Sequence, residues 1–383
     1  MYKLFILIPF LFHLSLSAQD STFARNMIKT LTSEKFSGRG YVNHGVDKAA
    51  DFLEETFKSY GLKPLNQKSY SQFFTSSMNT FPGKMKVKVD GKQLVPGVHY
   101  IVAPESKALK GSFTFHKRDS VTYEADQLPV IISLQKKLTW SVATGQADYT
   151  VIELLKDSFP KTIQQLDINI EAKLISAYKL RNICGYIPGS EKPDSFIVFS
   201  AHYDHLGNMG AKTIFPGAND NASGTAMLLS MMKYYSMPEH KPKCSIAFIS
   251  FAAEEAGLLG SAYFVNNPLI PLTKIKFLIN LDLLGTGDEG ITVVNATEFK
   301  KEFNSLKELN EKNKYLPLIK PRGKAKNSDH YWFSEKGVPC FFIYTMGGIK
   351  AYHDVYDIER TLPLTKFKEV FYLLRDFSGR LME

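Results

Sequence analysis

Residues 244–260 read CSIAFISFAAEEAGLLG: an unbroken apolar run, two adjacent glutamates, then a short helix-like segment ending in glycine. An apolar run of this length without alternation is the pattern of a strand buried on both faces, and such strands belong to parallel sheets covered by helices. Ionised carboxylates are costly at the edge of a core unless something neutralises them. Glu254 and Glu255 therefore mark the end of this strand as a place where chemistry is expected.

The same kind of run recurs on either side. INIEAKLISAY, LRNICGYI, SFIVFSAH, KIKFLINLD, ITVVN and VPCFFIY read as further strands, and SGTAMLLSMMKYY, LLGSAYFV, FKKEFNSLKELNEK and LPLTKFKEVFYLLRDFSGRL as helices. Strands alternating with helices over residues 166–383 predict an α/β domain built on a mixed, mostly parallel sheet with helices on both faces. Residues 19–65 add a helical N-terminal part, in which KAADFLEETFKSYGL places Ala49, Phe52, Leu53, Phe57 and Tyr60 at helical spacing before Gly61. Residues 66–165 differ in character. KMKVKVDGKQL alternates and turns at Asp90-Gly91, and GSFTFH, LPVIISL and YTVIELL follow as short strands, so this segment is expected to be a smaller β-rich insertion without a metal-ligand cluster.

Residues 1–18, with Lys3, an apolar stretch from Leu4 to Leu16, and the small residues Ser15, Ser17 and Ala18, have the pattern of a signal peptide. The stretch is too short to span a bilayer. The expectation is an exported protein, periplasmic or secreted, with no stable membrane insertion. The formal net charge is +9, but the lysines are scattered, with few aromatic residues among them. A solvated basic surface rather than nucleic-acid binding is expected. Cys184, Cys244 and Cys340 all fall in apolar strand-like runs and lack zinc-site spacing, so they are read as buried thiols and not as ligands.

In open α/β sheets, ligands bind beyond the carboxyl ends of the strands. SFIVFSAH ends in His202, CSIAFISFA leads to Glu254 and Glu255, KIKFLINLD ends in Asp282, VPCFFIY leads through a glycine turn to His353, and Asp220 in PGANDNASG precedes a helix. Each residue alone has an ordinary structural role, as a cap, a turn or a core hydrogen bond. Five segments delivering His, Asp, Glu, Asp and His to one sheet edge suit a pair of zinc ions better than one. Neighbouring glutamates point in different directions, so one can bind metal while the other takes a proton from a metal-activated water. Asp204 and Asp357 are placed by spacing to accept the second imidazole N–H of His202 and of His353.

Taken in order, SAHYDHLG, PGANDNASG, AAEEAGLLGS, NLDLLG, NSDHYWF and the His353-to-Asp357 stretch resemble the two-zinc aminopeptidase family (zinc metallopeptidase family 28), whose relatives include glutamate carboxypeptidase, glutaminyl cyclase and the transferrin receptor. The N-terminal SGRG with KAADFLEETFKSYGLKPL is similar to that family's opening helix. The resemblance implies two zinc ions, one held by His202 and Asp282 and the other by Glu255 and His353, with Asp220 bridging and Glu254 as catalytic base. It implies peptide substrates and aminopeptidase activity. Ser328, Asp329 and His330 match the family's SDH stretch, where substrate contact or support is expected. Residues 66–165 stand where relatives carry a protease-associated β domain. Some members place a tyrosine shortly before SDH to stabilise the oxyanion; Lys324, Ala325 and Lys326 stand there in this chain, which leaves Tyr352 or Tyr344 as candidates. The alternatives within the resemblance are a one-zinc glutaminyl cyclase and a binding protein without catalysis. The filled ligand positions argue against the second, and the scarcity of tryptophan (Trp140 and Trp332 only) argues against the first.

Overall fold

The computed structural model describes residues 21–126, 129–158 and 163–383. The proposed signal peptide, residues 1–18, lies outside the described residues. Four strands form the parallel centre of a nine-stranded sheet, in the order Cys244–Phe251, Lys192–His202, Ile275–Leu281 and Cys340–Met346. Lys173–Ile187 flanks them antiparallel on one side and Gly290–Val294 on the other, the latter followed by Ile319–Pro321. All eight residues of Cys244–Phe251 are buried, as the absence of alternation predicts for a central strand.

Alternate side chains of these strands serve two cores. Ile197, Phe199, Phe248, Ile279 and Phe341 face helices Ser21–Leu31, Gly45–Ser59, Gly224–Tyr235, Lys300–Asn313 and Phe367–Met382. Val198, Ala247, Ile249 and Leu278 face the other way, against Phe264 and Phe333 of the short helices Leu259–Asn266 and His330–Glu335. The three cysteines are free and buried within strands. Among the described residues, no helix is long and apolar enough to cross a membrane.

The β-rich segment is an eight-stranded sheet with its own core, around Val87, Tyr100, Ile132, Ile152, Leu154 and Leu166. The hairpin expected at Asp90-Gly91 forms between Met85–Val89 and Lys92–Gln93, with both turn residues at positive φ. The limits of this unit differ from those expected at 66 and 165. Ser71–Thr80 pairs with Lys173–Ile187 in the large sheet, while Gln165–Ile170 pairs with Met85–Val89 and Leu109–Lys117 in the small one. The run INIEAKLISAY thus holds two strands separated at Glu171 and Ala172, each serving a different sheet. Apolar pattern alone does not say which neighbour a strand pairs with.

The two units are joined beside the strand end at His202. Leu206, Met209 and Phe215, in and around the small hairpin of Gly207–Met209 and Thr213–Phe215, belong to the insertion's core, and the Phe215 and Trp140 rings lie 4.6 Å apart. Behind them, the Ser37–Gly40 turn presses backbone against backbone: a Cβ on Gly207, whose φ is +80°, would lie 2.6 Å from the Cα of Gly40. Gly207→Ala should therefore cost about 1–3 kcal/mol and lower the midpoint of thermal unfolding by several degrees, measured by circular dichroism. An unchanged midpoint would show that this backbone approach relaxes freely.

Candidate metal centre

The parallel strands end on one rim, and their ends carry the expected side chains to one place. His202 is the last residue of Lys192–His202, Asp282 directly follows Ile275–Leu281, and Glu254 and Glu255 lie just past Cys244–Phe251. Asp220 sits in the turn Ala218–Ser223 before helix Gly224–Tyr235, and His353 lies in the loop after Cys340–Met346. The two oxygens of Asp220 face different imidazoles: Oδ1 is 3.3 Å from His202 Nε2 and Oδ2 is 3.1 Å from His353 Nε2. His202 Nε2 is also 3.4 Å from Asp282 Oδ2, and His353 Nε2 is 3.1 Å from Glu255 Oε2. Two His–carboxylate pairs therefore flank one shared aspartate.

The supports differ in part from those expected. His202 Nδ1 lies 3.2 Å from the backbone carbonyl of Asp204, while the Asp204 carboxylate accepts the N–H groups of Glu254 at 3.1 Å and Glu255 at 3.4 Å. Asp357 does not meet His353 as its spacing suggested; its two oxygens accept the N–H groups of Asn219 and Asp220 at 2.8 and 3.0 Å, fixing the turn that carries the shared aspartate. The partner of His353 Nδ1 is the Trp140 carbonyl at 2.9 Å, and the Trp140 N–H donates back to the His353 carbonyl at 2.9 Å. Lys137 adds to this clamp with hydrogen bonds to the carbonyls of Lys350 and Tyr352 and an ion pair to Asp354 at 3.1 Å. A segment 213 residues away in sequence thus orients the histidine, and no local pattern announces it.

Of the Ser-Asp-His stretch, Ser328 supports the centre, donating to Asp282 Oδ2 at 3.1 Å and accepting from Asn280 at 2.8 Å. Asp329 and His330 are fully buried and do not line the cavity described below, whereas their neighbour Asn327 does. Two further residues were present in quoted motifs without a role. His205, buried in SAHYDHLG, binds Glu255 Oε1 through Nδ1 at 2.7 Å. Arg39 of SGRG is fully buried, and its guanidinium donates to the carbonyls of Leu31, Tyr203, Pro216, Gly217 and Asp220. A permanently charged, fully donating fork in the SGRG turn was the available signal.

Electrostatics follow from this crowding. Burial opposes a proton on His353, but Glu255 and Asp220 outweigh it and raise the imidazole to about 11. Burial likewise disfavours charge on His202, and Asp282, Glu254 and Asp220 push it well above its ordinary value. Burial and the charge of Asp220 act to raise Glu255, yet His353 and His205 draw it down to about 2. Glu254 moves the other way: burial, then the charges of Glu255, Asp329 and Asp282, hold its carboxyl well above the usual range against the pull of His202. Burial pulls the Arg39 guanidinium down to about 10 against the attraction of Asp357, Asp220, Asp204 and Glu255.

The donor set fits a divalent cation. His202, Glu254 and Asp282 offer ligand atoms within 4.8 Å of one another, as do His202, Asp220 and Glu255. His202 Nε2 and Asp282 Oδ1 are buried without a hydrogen-bond partner. Imidazole nitrogen and carboxylate oxygen, with no thiolate, suit zinc and its first-row neighbours. A cavity of about 250 Å³ opens onto the centre, lined by Asp220, Glu254, Glu255, Asp282 and His353 and, on its other walls, by Leu283, Arg322, Asn327, Phe342, Tyr344 and Tyr352.

Comparison with known proteins finds relatives of two kinds, curated sequences and solved structures. Aminopeptidase YwaD of Bacillus subtilis is 29% identical over 240 residues, covering 60% of this chain and 50% of that protein. The chain thus spans about half the length of this curated relative. A glutamate carboxypeptidase 2 homolog of Caenorhabditis elegans is 36% identical over 126 residues, 32% of this chain and 15% of that one. Among solved structures, a peptidase M28 precursor from Shewanella amazonensis has a TM-score of 0.73 at 15% identity, covering 96% of this chain and 94% of that one. A zinc aminopeptidase from Bacillus subtilis has a TM-score of 0.69 at 18% identity, covering 94% of each chain. These two likenesses show a shared fold. Residues 182–378, which carry all five candidate ligands, match Peptidase family M28, and the chain belongs to that family.

Proposed function

We propose that this protein is an exported zinc-dependent aminopeptidase that hydrolyses N-terminal residues from peptides. The observation that carries the reading is the shared aspartate: Asp220 lies between the pair His202–Asp282 and the pair His353–Glu255, and the side chain of Glu254 stands beside them on the cavity wall. The names of the Bacillus relatives, an aminopeptidase and a zinc aminopeptidase, support the activity and the metal.

Two zinc ions would be held by His202 with Asp282 and by His353 with Glu255, Asp220 serving both. Bound there, zinc would supply the Lewis acidity that makes water a nucleophile at neutral pH and polarises the scissile carbonyl. The protein's own groups do the rest. Glu255 has both oxygens committed, to His205 and His353, which suits a fixed ligand, whereas the carboxylate of Glu254 accepts no hydrogen bond among the described residues and can exchange a proton. Its carboxylate takes the proton of the attacking water and returns it to the departing amine. Tyr352, exposed on one side, stacks on His353 with ring centroids 4.1 Å apart, and its hydroxyl, protonated at neutral pH as in any tyrosine, can donate to the developing oxyanion. The Tyr344 hydroxyl accepts from Arg322 at 3.2 Å and keeps its own proton to donate, so it remains the second candidate.

Purified protein should contain about two zinc ions per chain by elemental analysis; one would favour glutaminyl cyclase chemistry and none a binding role. Glu254→Gln should keep its zinc and lose hydrolysis of a leucine anilide, and a near-normal rate would remove Glu254 as the base. His353→Ala should lose zinc and activity together, and full zinc content would contradict its place among the ligands. Tyr352→Phe should lower kcat by about 10²–10³ with little change in KM; an unchanged kcat would remove the oxyanion role.

A further inference from the structure

The cavity beside the metal centre carries one cationic side chain that neither the ligands nor the base account for. Arg322 is anchored by its backbone, donating to the Val293 carbonyl at 2.9 Å and accepting from the Ala296 N–H at 3.0 Å, so its place on the wall is set by the Gly290–Val294 strand region. Among the described residues its side chain hydrogen-bonds the Tyr344 hydroxyl and pairs with no carboxylate. Its basic neighbours are committed elsewhere: Lys324 pairs with Glu335, and Lys326 lies over the rings of Tyr331 and Trp332. A guanidinium presents a planar fork of donors matched to a carboxylate, a pairing stronger than a neutral hydrogen bond. At about 250 Å³, the space it borders is slightly below the usual range of about 300–1,000 Å³ for ligand pockets, which favours a single side chain or a very short peptide.

We propose that Arg322 is a carboxylate-binding specificity residue, so that the preferred substrate is a short peptide that places an anionic group against it. This rests on the peptide-hydrolysing reading given above and names its substrate class. The carboxylate has two possible sources: the Asp or Glu side chain of an N-terminal residue, or the free C-terminus of a dipeptide. Asn327 and the Tyr344 hydroxyl line the same wall and complete a polar surface for it.

Two substrate pairs test this on the zinc-loaded, full-length mature protein. Glutamyl anilide against glutaminyl anilide isolates the side chain, and Leu-Gly against Leu-Gly-amide isolates the C-terminus. In at least one pair, kcat/KM should favour the acid by about 10- to 100-fold, and which pair shows the preference identifies the source. In Arg322→Met that ratio should fall to near one, with zinc content equal to the wild type. In Arg322→Lys, which keeps the charge but not the fork, part of the preference should remain. Ratios within twofold for both pairs in the wild type, or a preference that survives Arg322→Met, overturn the proposal while leaving leucine anilide hydrolysis to speak for the peptidase reading. No turnover of any substrate by protein with zinc bound would overturn both.

Discussion

The centre of this protein is organised by the cost of crowding acids in a buried place. Asp204, Asp220, Asp282 and Asp357 are all nearly inaccessible to water, and Glu254 and Glu255 lie beside them. Such a group of carboxylates stands only if positive charge or hydrogen-bond donors are fixed among them. Donors meet part of the need: backbone N–H groups cap Asp204 and Asp357, and Ser328 caps Asp282. Imidazoles turned toward Asp220, Asp282 and Glu255 meet another part. In the proposed function, a pair of divalent cations in the same position would satisfy the remainder and would leave Glu254 free to work as a base.

The sheet makes this crowding possible because its central strands are rigid and their ends fall on one rim. The second unit matters as well. Trp140 holds the Nδ1 side of His353 through a backbone carbonyl, and its indole is fixed by donation to the Val102 carbonyl within the insertion's core. The insertion therefore helps to frame the candidate metal centre, through the contacts of Trp140 with His353, rather than being an appendage. Fixing the tautomer of a ligating histidine in this way also fixes which nitrogen faces the metal. On the opposite side, Arg39 ties the loops after His202 and before helix Gly224–Tyr235 through their carbonyls, placing a fixed positive charge behind the acids.

Much of this was legible in the sequence because the relevant signals are local. Uninterrupted apolar runs such as CSIAFISF and FLINL marked the central strands, and the polar residue at each run's end marked the rim. What was not legible depends on contacts between distant segments. Nothing in GGIKAYHDVYD says that Trp140 will meet His353, and the spacing that suggested Asp357 for this task was misleading, because the loop turns its carboxylate toward the backbone of Asn219 and Asp220. Likewise the change of sheet at Glu171 and Ala172 is invisible in a run whose two halves share one composition. His205 and Arg39 stood in quoted motifs, yet their tasks became clear only once their partners were known.

The central claim is that Asp220 is shared between two cations at the strand ends. Anomalous diffraction collected at the zinc edge from crystals of the zinc-loaded protein tests it most directly. The account predicts two peaks separated by about 3.5–4 Å, one beside His202 and Asp282 and one beside His353 and Glu255, with the Asp220 carboxylate between them. A single peak that leaves one of these pairs without metal, or zinc bound away from the rim altogether, would contradict it.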